Sequence, residues 1–193
     1  MKSIKVTPEQ MSRRMARFKD LKSYQYANEA AAGIPMAVLE KIAAHRVYPL
    51  MVPETYTGRS AQAPIKGAPG VVLSIAECPP GDGPVMHIHE QTIENFFCLS
   101  GRFEIAWGDA GEEHSVTLEP LDFISVPPGV PRRFTNIHAT ETGRLLVIIH
   151  VQTQEQSDRI AYRPELREEI EQKHGRKTVD ALDRIGINFT AGV

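Results

Sequence analysis

The chain has 193 residues, 41% of them hydrophobic and 24% charged, with a formal net charge of -2. That length suits one domain with its own core and is short for two, and the near-neutral charge gives no electrostatic footprint for nucleic acid or for an acidic membrane surface. No window approaches the ~20 apolar residues of a membrane span, and MKSIKVTPEQMSRR lacks the apolar segment of a signal peptide, so a cytoplasmic protein is expected.

Thr7-Pro8-Glu9-Gln10 supplies a capping residue, a proline at the first helical position and a glutamine three residues after the cap; Met11, Met15 and Phe18 follow at helical spacing. An amphipathic helix is predicted there. Its other face, with Arg13, Arg14, Arg17 and Lys19, reads as solvated, because no recognition-helix pattern follows. IPMAVLEKIAAH predicts a second short helix, with Pro35 at its start and Met36, Leu39, Ile42 and Ala43 on one side. Residues 46–69 read as extended and loop-like, broken by Pro49, Pro53, Pro64 and Pro69, with VYPLMVP able to add an edge strand.

From about residue 70 the pattern changes to short β-branched and aromatic runs. GVVLSIAE, VMHIHE, ENFFCLSG, RFEIAWG, HSVTLE, DFISVP, RRFTNIH and RLLVIIHVQ predict eight strands, with turn signals such as PPGDGP, GDAGE and PPGVP between them. Eight strands at this spacing indicate an antiparallel sandwich or barrel, with Phe96, Phe97, Trp107 and Phe134 in a barrel or dimer core. The tail returns to helix: Arg163-Pro164 opens a segment ending near Gly175, and Thr178 is expected to cap a last helix carrying Val179, Leu182 and Ile185. The expected division is an N-terminal segment over 1–66, a barrel over 67–155 and a helical extension over 156–193, in a single globular domain. The extensions are expected on the barrel's outer face or across a dimer interface. Cys78 and Cys98 are too few for a disulfide framework and read as reduced, Cys98 buried in a strand.

His87 and His89 alternate along a strand, so both imidazoles point to one face; Glu94, past a short turn, would return a carboxylate to the same patch if the next strand forms a hairpin. Two neutral imidazoles and a carboxylate suit iron, manganese, zinc or nickel. On one side of an octahedral ion they form a facial triad with three open positions. His45, His114, His150 and His174 stand singly and read as surface or satisfied histidines.

This stretch resembles the first motif of the cupin superfamily, G-x5-H-x-H-x3,4-E-x6-G, matched by Gly81, His87, His89, Glu94 and Gly101. The second motif, G-x5-P-x-G-x2-H-x3-N, is recognisable in LDFISVPPGVPRRFTN through Pro127, Gly129 and Asn136. The resemblance implies an all-β core, a cupin double-stranded β-helix or jelly-roll barrel, here with added N-terminal and C-terminal α-helices, often as a homodimer. Two positions depart from the pattern: Leu121 replaces the first glycine of the second motif, and Arg132 stands where the family places a fourth metal ligand, a histidine.

Three arrangements are open for Arg132. It can anchor an anionic substrate beside a three-ligand metal centre of His87, His89 and Glu94, or pair with Glu94 in a metal-free pocket. Alternatively, a slipped strand turns it to solvent and His138, of the same strand parity, takes the ligand position. A guanidinium ~6 Å from a divalent ion costs on the order of 5 kcal/mol at an effective dielectric of ~20, against ~10–16 kcal/mol for strong protein zinc sites. Repulsion therefore weakens metal binding without forbidding it. The resulting expectation is a metal-dependent cupin enzyme, of dioxygenase type with iron as the leading metal, acting on a small anionic or aromatic molecule. The alternatives are a metal-free small-molecule-binding cupin or a metal-assisted isomerase or lyase.

Overall fold

In the computed structural model, which describes residues 2–67, 69–151 and 159–192, the chain opens with α1 (Pro8–Ser12), a 3-10 turn at Phe18–Asp20, α2 (Tyr24–Ala32) and α3 (Met36–Lys41). Two strands follow, β1 (Arg46–Pro53) and β2 (Ile65–Gly67). The eight predicted runs then appear in order as β3 (Val71–Cys78), β4 (His87–His89), β5 (Thr92–Ser100), β6 (Phe103–Trp107), β7 (His114–Leu118), β8 (Phe123–Val126), β9 (Pro131–Asn136) and β10 (Gly143–Val151). Gln152, the last residue of the eighth run, and the boundary expected at residue 155 lie outside the described residues. The chain continues with β11 (Ile160–Ala161), α4 (Pro164–His174), α5 (Arg176–Arg184) and β12 (Ile187–Asn188).

The strands form two six-stranded sheets, ordered β2-β1-β3-β10-β5-β8 and β12-β11-β4-β9-β6-β7. Along β3 and β5 buried residues alternate with half-buried ones, the period-two signature of a strand with one face on a core. The inward positions meet between the sheets, where Phe96 and Phe134 contact edge-on at 5.2 Å between centroids and Phe134 and Phe103 at 6.3 Å. This is a jelly-roll core, as the cupin resemblance implied. Trp107 and Phe97 are only half-buried.

Both extensions add strands to these sheets. VYPLMVP falls within β1, which pairs antiparallel with β3 and is covered in turn by parallel β2, so β1 is not the edge. β11 pairs with β4 and carries parallel β12. The helices of the two extensions then pack on each other: Ile34, Leu39 and Ile42 share a second apolar core with Tyr162, Leu182 and Ile187. Tyr162 Oη donates to the Ile42 carbonyl, tying the C-terminal extension to the N-terminal one.

The local expectations fare unevenly. The Thr7–Gln10 capping box forms, but α1 stops at Ser12 and buries none of its residues, leaving Met11 and Met15 exposed. Phe18 lies instead against the Tyr48 ring at 4.9 Å, with the Arg144 guanidinium 5.0 Å from its centroid. Helix α2 went unread from the sequence, although Ser23 precedes it and Gly33 closes it with φ 67. Gln25 on α2 bridges to the first sheet, donating to the Ala44 carbonyl at 2.7 Å and accepting from the Val47 amide at 3.0 Å. Thr178 is not the cap of α5. It lies inside the helix, which begins at Arg176, and its hydroxyl donates to the His174 carbonyl at 3.0 Å.

Motif positions explain themselves in backbone terms. Gly101 has φ 80, and a Cβ there would come within 2.5 Å of the Gly143 Cα, so two chain segments meet where no side chain fits. Asn136 donates to the carbonyls of Cys78 and Glu141, each at 2.8 Å, and accepts from the His138 amide, knitting the ends of β3 and β9 together. Leu121, in place of the second motif's glycine, sits at φ 79 with its side chain 75% exposed. A left-handed conformation is costly for a Cβ-bearing residue and Leu121 gains no packing in return, so Leu121→Gly is expected to raise unfolding free energy by about 1 kcal/mol in urea titrations. Cys78 and Cys98 are both free and buried. Burial first, then Asp122 and Glu119, raises the Cys98 thiol to about 11, and burial raises Cys78 further still. Both thiols should therefore resist a maleimide reagent at neutral pH in the native protein, and both should react once the chain is denatured, as mass spectrometry will show.

Candidate metal centre

Strand β4 is only three residues long, and both its ends, His87 and His89, are buried, while Ile88 between them faces the other way. His87 lies opposite Arg132 of β9, and His89 opposite Ile160 of β11. Glu94 comes from β5, in the other sheet, where it pairs with Val126 and Ile149. The hairpin expected between the histidines and Glu94 is thus absent: Glu90 and Gln91 turn the chain from one sheet to the other, and β4 and β5 take different partners. The physical consequence is that the carboxylate faces the imidazoles across the barrel interior.

The three side chains meet there, with one ligand atom of each lying within 4.8 Å of the others. Glu94 Oε2 is 3.3 Å from His89 Nε2 and 3.9 Å from His87 Nε2, and atoms bound to one ion at about 2.1 Å lie about 3–4 Å apart. His87 Nδ1 donates to the Val85 carbonyl at 2.9 Å, which fixes the tautomer and leaves the Nε2 lone pair for a ligand; His89 Nδ1 is 3.1 Å from Thr92 Oγ1. Burial, followed by the neighbouring His89 and Arg132, drives the His87 pKa well below the usual imidazole range. A neutral imidazole is the form that coordinates a metal. Glu94, 4% exposed, has its Oε2 buried with no hydrogen-bond partner, an arrangement that a cation between the three groups would satisfy.

Arg132 does not point to solvent, so the slipped-strand arrangement is overturned. It is 0% exposed, Nη2 donates to the Pro127 carbonyl at 2.8 Å, and Nε lies 3.7 Å from Glu94 Oε2. His138 stays out of the site: β9 ends at Asn136, and the His138 ring accepts at Nδ1 from the Thr140 and Glu141 amides in its own loop, with Nε2 3.7 Å from the Glu141 carboxylate. Strand parity did not carry to residue 138 because the strand no longer continued there.

A cavity of about 70 Å³ adjoins the three ligands, several times the ~10–15 Å³ that one water needs. Arg132, expected as a substrate anchor, is not among the residues that line it. The wall instead includes Arg59 and Tyr24 from the N-terminal segment and Tyr162 from the C-terminal one. The Tyr162 ring lies 5.6 Å from that of His87. The sequence holds no motif that would have singled these residues out, since they reach the site only through the packing of the extensions.

Residues 74–149 match the family model of the cupin domain. No curated relative matches the chain. Among solved structures, similar barrels include the Schizosaccharomyces pombe Cnp3 cupin domain, at 18% identity and TM-score 0.43, with 56% of this chain and 67% of that one covered. A Klebsiella pneumoniae protein with a double-stranded β-helix domain follows at 17% and 0.38, covering 43% and 69%. TT1209 from Thermus thermophilus stands at 21% and 0.40, covering 45% and 78%. Likeness at this level carries nothing about activity. With the domain model matched across the strands that carry both motif spacings, residues 74–149 of this chain form a cupin domain.

Proposed function

We propose that the chain is a metal-dependent enzyme acting on a small molecule, with His87, His89 and Glu94 holding a divalent ion. The observation that carries the reading is the buried Glu94 Oε2, without a hydrogen bond and aimed between two imidazoles. Iron is the favoured metal, with manganese, zinc and nickel of suitable ligand chemistry, and oxidation by dioxygen is the favoured reaction class because the donor set is a two-histidine, one-carboxylate face. When bound, such an ion would supply Lewis acidity and open coordination positions. The chain's own residues do the rest. Val85 holds the His87 tautomer, Arg132 opposes the negative charge of Glu94, and the apolar wall keeps bulk water from the reacting molecule.

Protein purified without a histidine tag should contain about one equivalent of metal per chain by elemental analysis, and His87→Ala less than about a tenth of that. No stoichiometric metal in the wild type would sink the reading. Substrate turnover that persists without oxygen would remove the dioxygenase assignment and leave an isomerase or lyase. The 3.7 Å approach of Arg132 to Glu94 favours one second reading, a metal-free binding cupin in which this ion pair replaces the ion.

Arg132 lies opposite His87 in the strand register, so Arg132→His would place a third imidazole in the ligand ring and remove a repelling charge. Metal affinity, measured by chelator competition, should rise at least about tenfold. Unchanged affinity would place position 132 outside the coordination sphere.

A further inference from the structure

Two phenols from the flanking segments reach the wall of the cavity beside His87, His89 and Glu94: Tyr24 at the start of α2, and Tyr162 just after β11. Their hydroxyls are engaged differently. Tyr162 Oη donates to the Ile42 carbonyl, so that phenol serves the packing of one extension on the other. Tyr24 is 5% exposed, and among the described residues no hydrogen bond takes up its hydroxyl. What fixes its position is backbone: the Asn28 amide donates to the Tyr24 carbonyl at 2.8 Å and to the Arg59 carbonyl at 3.1 Å. Burial holds the Tyr24 pKa above the usual phenol range, with Arg59 opposing that shift and Tyr56 adding to it. The group is therefore a neutral O–H donor at physiological pH.

An O–H buried without an acceptor is costly, and where no protein group reaches it a water or a ligand supplies the bond. The space available limits what can do so. At about 70 Å³ the cavity is roughly half the ~150 Å³ of an apolar cavity that admits benzene, which leaves room for about three to five non-hydrogen atoms. Its wall is largely apolar, with Val72, Val147 and Ile149. A carbonyl oxygen accepts from a phenol without bringing a hydrogen that needs an acceptor of its own, as an alcohol would, and so suits a wall of this kind.

We propose that Tyr24 is a ligand-recognising residue of this cavity, donating its O–H to the oxygen of a small carbonyl compound of about three to five non-hydrogen atoms. That the compound binds at the open positions of an ion rests on the metal reading given above; the role of Tyr24 does not.

The test is a chemical-shift titration of the full-length protein, of measured metal content, with butanone and with the isostere in which a methylene replaces its oxygen. In Tyr24→Phe, butanone should lose at least about fivefold in affinity relative to the isostere. The same variant should keep the wild-type urea midpoint or raise it, because it removes an oxygen that no protein group bonds. Cyclohexanone should bind the wild type at least about tenfold more weakly than butanone, being too large for the space. In chelator-stripped wild type, where no ion contributes, the carbonyl carbon of isotope-labelled butanone should move downfield on binding, a readout that needs no variant. The proposal is overturned if butanone does not bind, if its relative loss in Tyr24→Phe falls short of that, if the urea midpoint drops, if cyclohexanone binds as tightly as butanone, or if the carbonyl resonance stays unmoved. Untreated protein that lacks metal but shows the Tyr24-dependent preference would defeat the metal reading and uphold the role of Tyr24.

Discussion

Glu94 is a carboxylate held inside a barrel, and the rest of the site answers the cost of keeping it there. An isolated buried carboxylate is strongly disfavoured, so positive charge has to be supplied within a few ångströms. His87 and His89 are the nearest groups, but burial drives the His87 pKa well below the usual imidazole range, so His87 offers a lone pair and little charge. The standing counter-charge comes from Arg132, whose Nε lies 3.7 Å from Glu94 Oε2 and whose far end is tethered to the Pro127 carbonyl. Both imidazole Nε2 atoms and Arg132 Nε thus converge on the same oxygen, Glu94 Oε2.

The same arrangement explains how an arginine can stand where the fold usually places a histidine. The register that seats residue 132 opposite His87 is kept, and the side chain at that position is still directed inward, fully buried. What changes is the chemistry at the position, from a group able to donate a lone pair to one that opposes the charge of Glu94. A guanidinium here lowers the attraction of the three side chains for a cation.

The segments flanking the barrel are part of the site. Helices α2 and α3 and the strands β11 and β12 build a second apolar core that walls one side of the cavity, and they bring Arg59, Tyr24 and Tyr162 beside the ligands. The motif-bearing strands supply His87, His89 and Glu94, and the flanking segments supply much of the cavity wall beside them. Such a split is physically reasonable, because strands held in a ladder cannot rearrange a side chain without losing register, whereas a capping segment can vary with little effect on the sheets.

What the sequence by itself determined is local or periodic. Alternation along strands placed His87 and His89 on one face, the motif spacings singled out His87, His89 and Glu94 together, and turn residues marked the eight barrel strands, because each of these properties is repeated within a few residues. The ends of elements were less legible: α1 stopped after five residues for want of a face to bury, and Thr178 was overtaken by a helix that began earlier. Only the tertiary structure decided that β4 and β5 lie in different sheets, that Arg132 is buried beside the carboxylate and His138 outside the site, and that Arg59 lines the cavity. Those outcomes depend on contacts between segments tens of residues apart, for which the chain carries no local signature, and on the cost of burying charge, which exists only once the barrel has closed around it.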